Sequence, residues 1–410
     1  MNDGVSRRGS LRVETESMDR SNAKPGPGAT TRATLRAMKP FILFAILTVL
    51  FAAVAMAQPP GRRKRTVTDE EVMRVHNSAI LIDTHNDVTS FTVDGADFSK
   101  LSPDRMTDLP RMRQGGMSAQ FFAAYVAASY VKDNKSADRA LQMIDTVLHD
   151  IVEKNSHDVL FTTSSSGIRK VHEQHKVAAL IGIEGGHAIE DSLRLLRDFY
   201  DLGVRYMTLT HTNSNNWADS SGDSHQPNNG LSPFGKEVVH EMNRLGMMVD
   251  IAHVSDKTFW DALETSKAPI FSSHSSCRAI ADVPRNMTDD MIKAMAKKGG
   301  VIQINFSCGF LRKGSGAAGS NSEAPRATLA DVVKHIDHAV EIAGVDAVGL
   351  GSDFDGITCA PEGLDSVDKW PNLTRALLEE GYTPEEIRKI YGENTLRMMA
   401  AVEKTASQVR

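Results

Sequence analysis

Leu81-Ile82-Asp83-Thr84-His85-Asn86-Asp87 is the stretch on which the reading of the fold turns. An apolar run from Ala79 to Ile82 has the character of a short strand, and it delivers His85 and Asp87 just past its C-terminal end. Residues two apart on an extended chain point to the same side. One imidazole and one carboxylate are therefore aimed together beyond the strand, as two ligands of one divalent metal would be. Taken alone, His-x-Asp is equally a strand-to-turn cap, so its weight depends on how the later strands end.

From residue 76 onward, β-branched or apolar runs alternate with amphipathic stretches. Strands are expected at Ile80–Thr84, Ala119–Tyr125, Ala178–Glu184, Tyr206–His211, Met248–His253, Pro269–His274, Val301–Phe306 and Ala347–Asp353. Helices are expected over Ala137–Lys154, Ser192–Leu202, Pro233–Leu245, Asp289–Lys298 and Leu329–Ala343. Leu202-Gly203, Leu245-Gly246 and Ala343-Gly344 supply glycine where a helix must turn left-handed to stop. Strand–helix units in series imply a parallel sheet, and eight strands is the number that closes a barrel. The expected fold class is α/β, a (β/α)8 TIM-type barrel over residues 76–402.

Such a barrel carries its active site at the C-terminal ends of the strands. In order, those ends supply His85 and Asp87, Glu184, His211, His253, His274 and Asp353. Of 14 histidines, four fall at or just past a strand end. His335 and His338 share metal-like spacing, but on an outer helix that faces away from the site. His187, past Glu184-Gly185-Gly186, is positioned to support a ligand rather than to be one. Seven converging groups exceed what one tetrahedral ion needs, whereas two ions sharing a carboxylate and holding a hydroxide use them well. Glu184 is the natural bridge, because Gly185-Gly186 lets the backbone turn away and leaves its carboxylate central. Asp353 then remains as proton carrier, with Asp355 of Asp353-Phe354-Asp355-Gly356 as its competitor. That motif also resembles a fragment of a calcium loop, though the further ligands do not follow.

Leu180–Asp191 (LIGIEGGHAIED), Gly203–Trp217 (GVRYMTLTHTNSNNW), Gly230–Gly235 (GLSPFG), Leu245–Ser255 (LGMMVDIAHVS), Phe271–Ser276 (FSSHSS) and Val348–Gly356 (VGLGSDFDG) resemble the membrane (renal) dipeptidase family, peptidase family M19. The resemblance covers about residues 75–400. It implies a metal-dependent, amidohydrolase-like barrel with two Zn2+ per chain. His85, Asp87 and Glu184 would hold one ion, and Glu184, His253 and His274 the other. It also implies that His211 contacts the scissile carbonyl region and that Arg285 pairs with the substrate's C-terminal carboxylate. Asp353 would be the general acid/base. Lipid-anchored members of the family carry disulfides; this chain has three cysteines and no hydrophobic C-terminal tail. Three free, half-buried thiols are the first reading of the cysteines; a Cys277–Cys308 pair, which would leave Cys359 free or bonded between subunits, is the second.

Residues 1–57 read as an N-terminal extension and signal peptide. Phe41 to Ala55 is almost wholly apolar, and Ala55-Met56-Ala57 is a small-x-small cleavage pattern before Gln58. Met38-Lys39-Pro40 makes a complete short basic leader, so translation is expected to start at Met38. Cleavage leaves 353 residues and no stable membrane anchor, and places the protein in the periplasm or outside the cell. The removed segment carries eight Lys/Arg against four Asp/Glu, taking the formal charge from −5 to −9. So acidic a protein offers no broad surface to nucleic acid. Residues 58–75, including Gly61-Arg62-Arg63-Lys64-Arg65, read as a solvated linker.

The function expected is hydrolysis of dipeptides with a free C-terminal carboxylate by a dizinc-bound hydroxide. A barrel hydrolase acting on a lactam, lactone or phosphotriester is the neighbouring reading, and a periplasmic binding protein that uses the metals only to hold ligand is the more distant one. The expected partner is a small-molecule substrate, and a homodimer is compatible with the sequence.

Overall fold

Nine strands form the sheet framework of the described residues, 62–315 and 325–409 of the computed structural model. They are β1 (Ile82–Asn86), β2 (Ala119–Tyr125), β3 (Val159–Phe161), β4 (Val177–Glu184), β5 (Val204–Thr208), β6 (Met248–Asp250), β7 (Ser272–Ser275), β8 (Ile302–Ile304) and β9 (Val348–Leu350). All pair in parallel, in the orders β1-β2-β4-β5-β6 and β7-β8-β9, with β3 on β4. Two bridges join these sheets into a ring. Phe271 N–H donates to Val249 O (3.1 Å) and Ile251 N–H to Phe271 O (2.9 Å), linking β6 to the start of β7. Asp353 N–H donates to His85 O (3.1 Å) and Asp87 N–H to Phe354 O (2.9 Å), linking the end of β9 to β1. The ring is the expected eight-stranded barrel.

β3 was not among the expected strands. It covers only the start of β4, pairing Val159–Phe161 with Val177–Ala179, before β5 takes over that edge at Ile181. Three residues are too few to show a strand's period. The expected helix over Ala137–Lys154 is Ser136–Asp145 followed by a π-helical turn to Val152 and a 3₁₀ turn to Asn155.

The outer layer includes α1 (Asp69–His76), α2 (Ser136–Asp145), α3 (Leu193–Asp201), α4 (Pro233–Leu245), α5 (Asp256–Thr265), α6 (Asp289–Lys297), α7 (Leu329–Ala343), α8 (Trp370–Glu379) and α9 (Asn394–Val409). α4 and α7 keep their expected bounds. Ser232 caps α4 with Pro233 behind it, and Gly246 at φ 90° ends it. Thr328 and Asp331 form a capping box on α7, which Gly344 ends. Leu396, Met399 and Val402 of α9 pack with Ala119, Ala178 and Val301, residues at the starts of strands. α9 therefore plugs the N-terminal mouth and leaves the C-terminal mouth for chemistry. Within the barrel, Gly182 makes room for the Tyr206 ring: a Cβ there would stand 2.0 Å from the ring.

Two readings of the sequence need correction here. Within the expected linker 58–75, the described residues 62–75 are not simply a linker. Residues 69–76 are α1, and the basic run lies along the C-terminal helices through Arg62–Glu386 (3.0 Å), Lys64–Glu380 (2.6 Å) and Arg65 N–H to Glu379 O (2.9 Å). Charge complementarity fastens it, together with the Arg62 guanidinium over the Tyr382 ring. Cys277 does not pair with Cys308; Cys308 bonds Cys359. Cys277 is buried, with its N–H on His335 Nδ1 (3.0 Å) and its thiol on His335 O (3.5 Å), and burial pushes that thiol up to about 12. The leader, the Met38 start and the cleavage point before Gln58 lie outside the described residues. Among those described, no helix is long and apolar enough to cross a membrane.

Candidate active site

Two buried aspartates organise the strand ends. Asp83 accepts from His85 N–H (3.3 Å) two residues on, and from Ser352 N–H (2.8 Å) and Oγ–H (2.6 Å) across the barrel seam. Asp250 accepts from Ala252 N–H (3.0 Å), Ser273 N–H (2.8 Å), Ser273 Oγ–H (2.6 Å) and Thr208 Oγ–H (2.5 Å). Burial pushes Asp83 up to about 6 and raises Asp250 as well, against these donors. Each carboxylate bends its own strand and pins a neighbour, as an Asx turn does locally.

These turns explain why the strands stop early. β5, β6 and β9 each end three residues before His211, His253 and Asp353 respectively, rather than running through them. His253 (φ 65°) and Asp353 (φ 62°) lie in the left-handed region, which no strand tolerates. β4 does run to Glu184. Gly185 then turns away at φ 107°, where a Cβ would come within 2.6 Å of the His187 ring.

The result gathers all seven strand-end groups around Glu184. Its Oε1 lies 3.0 Å from His253 Nε2, 3.3 Å from His274 Nε2 and 3.8 Å from His211 Nε2; its Oε2 lies 3.4 Å from His85 Nε2. His85 Nε2 is 3.2 Å from Asp87 Oδ2, and His253 Nε2 is 3.0 Å from His274 Nε2. Asp353 Oδ2 accepts from Asn305 Nδ2 (2.8 Å). Arg285 stands beside this set, its guanidinium donating to His274 O and Ser275 Oγ at 2.7 Å each, with Nε–H unpartnered. Three groupings bring ligand atoms within 4.8 Å of one another: His85, Glu184 and His274; Glu184, His211 and His253; His85, Asp87 and Asp353.

The donor set fits divalent metal. His85 Nε2 and Asp87 Oδ2 are buried and without a hydrogen-bond partner. Three carboxylates and four imidazoles in overlapping groups are the mixed nitrogen and oxygen donors that zinc takes. The electrostatics point the same way. Burial pushes Asp353 up to about 7 and Asp87 up to about 6, with Glu184 adding to both. Burial would raise Glu184 too, but His85, His211, His253 and His274 hold it well below the usual range. Burial, with Arg285 nearby, drives His253 far down, and burial with His85 and Arg285 does the same to His274, keeping both neutral as ligands must be. His85 differs: against its burial, Tyr206, Glu184 and Asp87 hold it well above the usual value, charge that a cation in its place would supply. So many buried acids without cations cannot all ionise.

Two hydroxyls hold His85 and His274 from behind. Tyr206 OH lies 2.8 Å from His85 Nδ1, and Ser273 Oγ lies 2.7 Å from His274 Nδ1. Because Ser273 Oγ–H donates to Asp250, it receives the proton of His274 Nδ1, which leaves Nε2 with its lone pair facing Glu184. Sequence reading missed Tyr206, Ser273, Asp250 and Asn305, since nothing in their spacing marks them. A polar residue inside an expected buried strand is the one available sign, and Asp83 and Asp250 both show it. His187 is buried, with Nε2 on Val126 O (2.9 Å). His335 is buried between Cys277 N–H and Leu311 O, outside the cluster, and His338 bonds Asp289 (2.8 Å).

A cavity of about 490 Å³ opens over the cluster. Asp87, Glu184, His211, His253, Asp353 and Asp355 form its polar part, and Tyr125, Phe310 and Ile357 its apolar wall. Tyr125 packs against the His211 ring at 4.8 Å. A site of this size takes a small molecule.

A model of the membrane dipeptidase family (peptidase family M19) matches residues 69–410. The fold is similar to that of the probable dipeptidase PvdM from Pseudomonas aeruginosa, with 24% identity over 82% of this chain and 99% of that one and a TM-score of 0.75. A metallo peptidase from Rhodobacter sphaeroides, liganded with a phosphinate mimic of the dipeptide L-Ala-D-Ala, is 26% identical over 79% of this chain and 99% of its own, with a TM-score of 0.71. The dipeptidase AC, also of family M19, is 27% identical over 79% and 98%, with a TM-score of 0.68.

Proposed function

Because the chain belongs to the membrane dipeptidase family, peptidase family M19, and is a metallo-dipeptidase, we propose that it is an exported dizinc enzyme acting on dipeptides with a free C-terminal carboxylate. The observation that carries this reading is the convergence of His85, His253 and His274 on the two oxygens of one buried carboxylate, Glu184. His85, Asp87 and Glu184 would hold one ion, and Glu184, His253 and His274 the other. When bound, such a pair supplies Lewis acidity and an activated water.

The chain's own groups do the rest. Asn305 occupies Asp353 Oδ2, so the proton taken up and later given to the leaving amine is exchanged at Oδ1. His211 is kept neutral by burial and faces the cavity, where its Nε2 can steady charge developing on the scissile carbonyl oxygen. Arg285 meets the substrate's carboxylate with guanidinium N–H groups left over from its two bonds. The phosphinate mimic held by the Rhodobacter neighbour supports small dipeptides as the substrate class. Export is supported by the apolar run Phe41–Ala55 with its cleavage pattern and by the Cys308–Cys359 disulfide, since such bonds persist in oxidising compartments.

The test is a dipeptide hydrolysis screen on chelator-treated and zinc-restored protein, with elemental analysis alongside. Turnover should vanish with chelator, return with about two zinc ions per chain, and be absent on C-terminally amidated dipeptides. Full activity with one ion would sink the bridged pair. N-terminal sequencing of protein from its host should begin at or near Gln58, and intact residues 1–37 would refute the export reading.

A further inference from the structure

Two loops wall the cavity on the Asp353 side. One follows β8 and carries Ser307 and Phe310; the other follows β9 and carries Gly356, Ile357 and Thr358. Cys308 lies between Ser307 and Phe310, and Cys359 directly follows Thr358; a disulfide joins them across a Cα separation of 5.5 Å. Cys308 N–H also donates to Cys359 O at 2.9 Å, and Asn305 bridges the same two segments through Asp353. The strands beneath pair over only three residues each, Ile302–Ile304 on Val348–Leu350. Loops on so short a ladder open at low free-energy cost unless something else holds them. Phe310 also lies beside Arg285, its ring centroid 5.5 Å from the guanidinium.

We propose that the Cys308–Cys359 disulfide is a specificity-determining crosslink, fixing the wall that receives the side chain of the substrate's C-terminal residue. This rests on the dipeptidase reading, because Arg285 at the carboxylate is what places that residue beside Phe310. The metal ligands come from β1 and the residue after it, β4, β7 and the loop after β6, away from the crosslinked loops. Asp353 lies at the base of one of those loops, but Asn305 holds it at 2.8 Å independently of the disulfide, so the crosslink acts on substrate fit. A wall ordered in advance binds better than one ordered at each encounter, and the difference appears in KM.

The test compares the wild type with Cys308→Ser/Cys359→Ser on dipeptides that differ only in the C-terminal residue. For bulky C-terminal residues KM should rise about 5- to 50-fold. For C-terminal glycine it should move less than about twofold, and kcat and zinc content should hold. Should the double variant fail to fold, the folded wild type is treated with a phosphine, which takes oxygen from water as the disulfide becomes two thiols. The same KM shift should then appear and reverse on reoxidation. An unchanged KM profile with both thiols free overturns the proposal, as does a uniform loss on every dipeptide accompanied by zinc loss. Wild type that cleaves no dipeptide at all removes the functional reading and this proposal together. Wild type that cleaves normally beside an unshifted variant removes only this one.

Discussion

Asp353→Asn separates proton transfer from metal binding more cleanly than any other single change. The substitution keeps the shape: the new amide oxygen can accept the Asn305 Nδ2–H now held by Oδ2 at 2.8 Å. What is lost is the ability to take up a proton at Oδ1 and release it to the departing amine. General acid–base catalysis contributes about 10²–10⁴-fold, or roughly 3–5 kcal/mol of barrier, so turnover should fall by that factor. The rival role is concrete, since Asp353 has a carboxylate oxygen grouped with His85 and Asp87 within 4.8 Å, close enough to share an ion. The assay therefore needs three readouts: kcat on a good dipeptide, zinc per chain, and the inhibition constant of an uncleavable phosphinate analogue. Lower kcat with about two zinc ions retained and the analogue still bound is the expected result. Loss of one ion would make Asp353 a ligand. Activity within about tenfold of wild type would pass the proton to Asp355 or solvent and refute the assignment.

The remaining predictions concern the groups around that centre. Arg285→Ala should cost about 10²–10³-fold in kcat/KM on free dipeptides, because a partly desolvated carboxylate loses its partner; equal losses on amidated dipeptides would show that Arg285 acts elsewhere. Ser273→Ala removes the acceptor behind His274 and should weaken zinc binding about 10- to 100-fold in chelator competition, whereas unchanged affinity would make that hydrogen bond incidental. Acid stability should depend on His335, whose Nδ1 accepts Cys277 N–H and whose Nε2–H donates to Leu311 O, both at 3.0 Å. Burial holds its ionisation down to about 4. An unfolded histidine binds its proton near pH 6.5, so between those values the unfolded state holds more protons and stability falls as pH falls. His335 alone should cost about 2 kcal/mol by pH 5, and His335→Gln, which can keep both bonds, should flatten that part of the urea-unfolding profile; an unchanged profile would refute it.

The strand-end groups were legible because residue type and position coincide there. Glu184 followed by two glycines, or His274 closing a short polar strand, can be read without knowing what lies across the barrel. The supports were not legible, because their partners are remote. Asp83 is bonded by Ser352, and Asp250 by Ser273, contacts separated by 269 and 23 residues. Spacing likewise did not reveal the Cys308–Cys359 bond, offering three free thiols or a Cys277–Cys308 pair instead. Cys277 and Cys308 both follow barrel strands, but the chain after β7 turns outward to His335, whereas β8 and β9 are neighbours and send their loops against each other. Topology chose the bond.

Read together, these features make the C-terminal mouth a place where the fold works against itself. His253, Asp353 and Asp355 hold left-handed backbone that side chains disfavour, at φ 65°, 62° and 66°, a cost of order 1–3 kcal/mol each. Asp87, Asp353 and Asp355 are all raised by burial, and two ligand atoms stay buried without partners. Nothing in the barrel's own packing requires such an arrangement. On the dizinc reading proposed above, the cations would offset the electrostatic part of that cost, by ionising the acids and engaging the two buried atoms. The same left-handed turn keeps Asp353 off the strand axis and over the cavity, where a carboxylate not used as a ligand could carry a proton, as the proposed function requires.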